Sequence, residues 1–187
     1  ERVTHDFTSK NAGLEEAFNP GENLWGGSIA LNQQLNTSNN VFISLSRGYK
    51  AGGFNARLAD ADKPKTFGKE TAYTLELGHK LKTASLELST TAFYTERKDA
   101  QFDGNEEDNG AWYFFIENFD KAKNYGLEAD INWQTTEEVN LFASLGLLKT
   151  ELKGEAINQD LVIVGRDQAH APRAQYMFGA QYRANQH

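Results

Sequence analysis

The residues best suited to hold a ligand are cations and aromatics flanking long polar connections. Tyr49, Lys50, Phe54, Asn55 and Arg57 follow one apolar stretch, and Trp112 and Tyr113 lie beside another connection. Ammonium and guanidinium groups hold anionic oxygens through charge-assisted hydrogen bonds, and aromatic faces add stacking and cation–π attraction. This is chemistry for capturing a small molecule. A second set, Glu76, Lys80, Glu87, Glu128 and Asp130, sits at alternate positions of strand-like segments. These charges read as one polar face, paired across strands or lining a passage.

Patterns for bond-making chemistry fail one by one. Ser44, Ser46 and Ser144 stand in strand-like stretches without the sharp turn that exposes a nucleophile. There is no cysteine, so no thiolate nucleophile, thiolate metal site or disulfide framework exists. His5, His79, His170 and His187 lack metal-ligand spacing. Asp103-Gly104-Asn105-Glu106-Glu107-Asp108-Asn109 has the wrong ligand order for a calcium loop and reads as a solvated acidic connection. Gly52-Gly53 has no Walker pattern around it. The expectation is a protein that is not an enzyme and needs no cofactor. A net charge of −7 lacks the basic footprint of a nucleic-acid binder.

These residues are carried by a succession of segments alternating with a period of two. Val41, Ile43 and Leu45 share one face; so do Tyr73, Leu75, Leu77 and His79; so do Leu86, Leu88, Thr90, Ala92 and Tyr94. Leu127, Ala129, Ile131 and Trp133, then Leu141, Ala143, Leu145 and Leu147, then Ala174, Tyr176, Phe178, Ala180 and Tyr182 repeat the pattern. With Leu24 to Leu35 in front, this predicts about seven strands. Helix is excluded by the spacing, and Pro20, Pro64 and Pro172 fall outside the predicted strand centres. The segment before Leu24 has loop character, as has Glu96 to Gly110. The longest apolar run, Ala111 to Ile116, is far too short for a transmembrane helix, and the N-terminus has no signal-peptide core.

The links alternate in length. Those at Asn36–Asn40, Leu81–Leu86 and Trp133–Val139 are short, whereas Lys50–Glu70, Glu96–Ala111 and Lys149–His170 are long. A transmembrane β-barrel sorts loops this way, with short periplasmic turns and long extracellular loops. Trp25, Trp133 and Tyr182 at strand ends suit an aromatic girdle. The expectation is an all-β, antiparallel transmembrane barrel segment facing outer-membrane lipid. Its rivals are a stand-alone small barrel or adhesin and a soluble β-sandwich that binds carbohydrate.

Several stretches resemble the barrel of TonB-dependent outer-membrane receptors. Val41 to Asn55, ending Ser46-Arg47-Gly48-Tyr49-Lys50-Ala51-Gly52-Gly53-Phe54-Asn55, is similar to the family's "YASYSRGYKAGGFN". Glu70 to Lys80 resembles "E-x-x-x-x-x-E-x-G-x-K", Ala92-Phe93-Tyr94 resembles "AFY", and Asn118 to Glu128 resembles "N-x-x-K-A-x-x-x-G-x-E". Ala171-Pro172 resembles the "AP" before a later strand. The order of these pieces over Trp25 to Tyr182 carries the resemblance. It implies a bacterial outer-membrane location and active import of a scarce nutrient such as an iron–siderophore complex. It also implies about 22 strands around a plug that contacts the TonB complex. No plug is found in residues 1–187, so the expectation is a partial barrel domain from a larger receptor.

Overall fold

The computed structural model describes residues 2–4, 7–11, 14–18, 21–55, 66–108, 110–155 and 162–184. The regular elements among them are strands. They are β1 (Arg2–Thr4), β2 (Phe7–Asn11), β3 (Leu14–Phe18), β4 (Gly21–Asn23), β5 (Gly27–Gln34), β6 (Asn39–Lys50) and β7 (Gly53–Phe54), followed by β8 (Thr66–Phe67), β9 (Glu70–Lys82), β10 (Leu86–Asp108), β11 (Ala111–Gln134), β12 (Val139–Glu155), β13 (Val162–Arg166) and β14 (Ala174–Tyr182).

One antiparallel sheet dominates, in the order β13-β12-β11-β10-β9-β6-β5, with β14 also paired to β12. The strand β13 pairs with Leu152–Glu155 and β14 with Val139–Leu147, so the two share one edge. The sheet therefore has seven strand positions. Each long strand pairs with its neighbour along the chain, the topology of an up-and-down barrel wall.

Register turns the alternating pattern into continuous rows. Leu31, Ile43, Leu77, Ala92, Leu127, Leu147 and Ala174 are successive partners across the sheet. Leu81, Leu88, Ile131, Ala143 and Phe178 form a parallel row nearer the short-turn end. One slipped residue would move any strand's leucines to the opposite face, so these rows fix the register. Leu31 is 69% exposed and Phe178 81% exposed. No second sheet covers this face among the described residues. A sandwich would have buried it; that rival is excluded, and an apolar face this extensive marks a surface that meets lipid.

The three short turns share one construction. Asn36 Oδ1 accepts hydrogen bonds from the amides of Ser38 and Asn39, both at 2.9 Å. Thr83 Oγ1 accepts from Leu86 N at 3.0 Å, and Thr136 Oγ1 from Val139 N at 3.1 Å. A short polar side chain replaces the missing backbone partner of the reversing chain.

The opposite end differs from the sequence expectation. The stretch from Glu96 to Gly110 is not a loop. The strands β10 and β11 remain paired from Leu86↔Trp133 out to Asp108↔Ala111, with Gly110 in the turn at φ +80°. Trp112 accordingly sits near a hairpin tip rather than a loop base, opposite Glu107. The acidic stretch through Asp108 is strand, and residues before Leu24 include β1 pairing with β4 and β2 with β3. Along β10 beyond Lys98 the apolar residues are only Ala100 and Phe102, too few for a period-two signal. Pro20, Pro64 and Arg57 lie outside the described residues.

Candidate functional site

The long connections converge at one end of the sheet, and a set of polar side chains ties them together. Glu70 opens β9 and is 4% exposed. Its carboxylate receives Arg97 Nε at 2.7 Å and Nη2 at 2.6 Å, and the Gln101 amide at 2.8 Å. The amide of Gln101 is turned toward Glu70 just beyond Asp99, which takes φ 51° where the β10–β11 ladder skips one pair. Aspartate tolerates that left-handed conformation better than most residues.

Gln101 then reaches the segment between β6 and β9. Its Nε2 donates to Ala51 O at 2.9 Å and Gly68 O at 3.0 Å. Asn118, on β11, accepts from Gly68 N at 2.6 Å and donates to Gly68 O at 3.0 Å and Asp99 O at 2.7 Å. Glu22 accepts from Gly52 N at 2.8 Å and Lys69 N at 3.2 Å. A Cβ on Gly52 would lie 2.6 Å from Phe67 O, so only glycine admits this close approach. Beneath the clamp, Ala100, Phe119, Ala122 and Leu152 form a buried cluster, with Phe102 packed edge-on to Phe119 at 5.4 Å between centroids.

The candidate binding residues take different places around this clamp. Lys50 lies on the polar face with its Nζ 4.0 Å from Glu70 Oε2 and its side chain largely exposed. Tyr49 continues the face of Leu45 and packs beside Gly26. Phe54 is half-buried in the short β7–β8 pair. Asn55 is held by the hairpin: its Nδ2 donates to Ile116 O at 2.9 Å, and its Oδ1 accepts from Ile116 N at 2.8 Å. Trp112 is exposed and Tyr113 half-buried farther along the same hairpin. Lys50, Phe54 and Asn55 are thus brought to the hairpin's base, and Trp112 and Tyr113 stand toward its tip. Glu22, Arg97 and Gln101 had no signal in the sequence. Their partners lie on other elements, up to 50 residues away for Gln101.

Glu76, Lys80, Glu87, Glu128 and Asp130 share the face opposite the leucine rows. Lys80 pairs with Ser89, which pairs with Asp130; Glu76 pairs with Phe93, and Thr91 with Glu128. Ser44 Oγ donates to Glu76 at 2.7 Å, Ser144 Oγ to Asp130 at 2.6 Å, and Lys82 meets Glu87 at 2.5 Å. On the β12–β14 connection, Asp167 accepts from Lys149 Nζ at 2.7 Å and Arg173 Nε at 3.0 Å. The Lys149 ammonium, then the Arg173 guanidinium, hold this carboxyl below the usual aspartate range.

Sequence and structure comparisons agree with this architecture. A pesticin receptor of Yersinia enterocolitica is 27% identical over 108 residues, 58% of this chain and 16% of that protein. The ferric yersiniabactin uptake receptor FyuA from Yersinia pestis matches with a TM-score of 0.72 at 19% identity, covering 96% of this chain and 26% of that one. The copper transporter OprC also gives 0.72, at 15% identity, covering 97% and 28%. The siderophore receptor PiuA from Acinetobacter baumannii gives 0.68 at 17% identity, covering 97% and 27%. The chain thus spans about a sixth of the pesticin receptor's length and about a quarter of the structural relatives'. The profile of the family described as TonB-dependent receptor-like β-barrel matches residues 1–186, and the chain belongs to that family as a portion of a bacterial outer-membrane receptor barrel.

Proposed function

We propose that this chain forms part of the wall and extracellular mouth of a receptor that imports an anionic iron chelate of the siderophore class. The observation that carries the reading is the clamped end of the sheet. There Lys50 stands beside Glu70, and Phe54 precedes Asn55, which is tied to the hairpin that bears Trp112 and Tyr113. A cation and aromatic surface suit a ligand of that chemistry, and the clamp orders the backbone that carries them before binding. Arg57 is assigned to the same mouth on its sequence position alone. Glu76, Lys80, Glu87, Glu128 and Asp130 are assigned to the lumen, where they line the path or brace a plug through which the TonB complex acts. The likeness to FyuA, a ferric yersiniabactin uptake receptor, and to PiuA, a siderophore receptor, supports the ligand class. OprC is a copper transporter instead. Soft thiolate and thioether donors select Cu(I), and this stretch offers one methionine and no cysteine. No chemical transformation of the ligand is proposed.

The test is uptake of iron-55 presented as a panel of ferric chelates by cells carrying the complete receptor. Lys50→Ala with Trp112→Ala should weaken chelate binding by at least about thirtyfold, the loss of one charged and one stacking contact. Import of copper but of no ferric chelate would overturn the reading.

A further inference from the structure

Above the apolar rows, the lipid-side face changes character within one rung. Tyr94 and Tyr125 stack at 6.2 Å and close the apolar band beside Leu75. The next rung holds Arg47, Tyr73, Glu96, Lys123 and Glu151 as successive partners. The rung after that places Lys98 opposite Lys121 and Lys121 opposite Lys153. Three lysines thus stand side by side on adjacent strands, about 4.8 Å apart, in a chain whose net charge is −7.

Like charges directly opposite one another destabilise a sheet. Few carboxylates relieve these. Glu96 meets Lys121 at 3.1 Å. Glu151 accepts the Tyr125 hydroxyl at 3.1 Å, and Asp167 is held by Lys149 and Arg173. Lys98 rests its ammonium 5.6 Å from the Tyr73 ring centroid. Arg47 extends the belt onto β6, where its guanidinium lies 3.8 Å over the Trp25 ring. These contacts place the belt on the same face as the leucines, immediately above the tyrosines.

We infer that Lys98, Lys121, Lys123 and Lys153, with Arg47 beside them, bind the phosphate groups of an anionic lipid in the outer leaflet. Charge complementarity identifies the occupant. A row of ammonium groups at the headgroup level is matched by phosphate oxygens that bridge neighbouring lysines, while the acyl chains lie along the leucine rows below. The lysine stems pack on the strand surface and hold their ends at the interface. The site is independent of the ligand imported through the lumen.

The experiment uses the complete receptor in detergent and two probes: bisphosphorylated diglucosamine lipid (lipid A) and the same lipid with its phosphates removed. Retained lipid is counted by native mass spectrometry and affinity is taken from a titration. Lys98→Gln with Lys153→Gln should weaken binding of the phosphorylated lipid at least fivefold. Lys82→Gln with Arg183→Gln, an equal loss of charge at the short-turn end, should leave it unchanged. Lys98→Arg with Lys153→Arg should keep it, and serves as the folded control if the glutamine pair assembles poorly. Inorganic phosphate in large excess should not compete. Equal binding of the dephosphorylated lipid, equal loss in the control pair, loss of binding in the arginine pair, or competition by free phosphate would each overturn the assignment.

Discussion

Glu70 and Arg97 meet carboxylate to guanidinium across the β9–β10 pair, at 2.7 and 2.6 Å, with Glu70 almost wholly withdrawn from water. The pair anchors the clamp, because the same carboxylate also fixes the Gln101 amide from which the contacts to Ala51 and Gly68 depart. Truncating one partner strands a buried charge, whereas replacing both removes the charge and its desolvation penalty together. Arg97→Ala in the complete receptor should cost about 3–5 kcal/mol. Glu70→Leu with Arg97→Leu should cost clearly less. Denaturant unfolding in detergent checks this, and a double variant as damaged as the single would contradict it.

The facing of the strands predicts a second asymmetry. Leu88 lies in the apolar row with Leu81 and Ile131, and Ser89 lies on the opposite face beside Lys80 and Asp130. Arginine at the bilayer midplane costs roughly 2–4 kcal/mol on the lipid face and much less toward the lumen. Refolding of Leu88→Arg and Ser89→Arg receptors into lipid vesicles measures the difference. Equal losses would reverse the proposed facing.

Topology is open to a labelling test. Single cysteines at Asn105 on the long hairpin and Ala169 on the β12–β14 connection should react with an impermeant maleimide in intact cells. Thr37, Ala84 and Glu137, in the short turns, should react only after the outer membrane is permeabilised. All are solvent-exposed, so burial does not mask the result. Reaction of the second group in intact cells would invert the orientation.

Asp167 predicts a pH response of stated sign. Its folded-state pKa lies below the ordinary aspartate value of 3.8, chiefly through Lys149 and then Arg173. The tie is therefore fully present above that ordinary value and is lost as pH falls through the lowered one. Titration of the Asp167 carboxyl by carbon-detected NMR should give a midpoint below 3.8, and Lys149→Gln should raise it. An unchanged midpoint in that variant would remove Lys149 as the cause.

Where a strand has one apolar face and one polar face, its residues announce it. β6 and β9 contain the segments marked by Val41–Leu45 and Tyr73–His79, and β14 coincides with Ala174–Tyr182. The charges Glu76, Lys80, Glu128 and Asp130 fall on the face that the alternation assigns. The sorting of short and long links was equally plain, because a turn of three or four residues needs only a polar side chain at Asn36, Thr83 or Thr136 to complete its own hydrogen bonds. All of this is local, set by neighbours within a few residues and by the contrast between lipid and water.

The mouth was decided only by the fold. The outer half of β10 has only Ala100 and Phe102 as apolar residues, so it carries little periodic mark and reads as a loop, although its ladder runs unbroken in direction to Asp108↔Ala111. Asn55 has no evident partner in the sequence, and only the fold brings Ile116, 61 residues away, to both groups of its amide. The motif pieces around Gly52, Glu70 and Asn118 could be lined up from sequence, but their joint role as a clamp required Glu22, Arg97 and Gln101 to arrive from other elements. The lysine row needs β10, β11 and β12 in register before three scattered residues become one charged surface. Hydrogen bonds and charge pairs between distant segments follow from strand register, and register is a property of the assembled sheet rather than of any one stretch of chain.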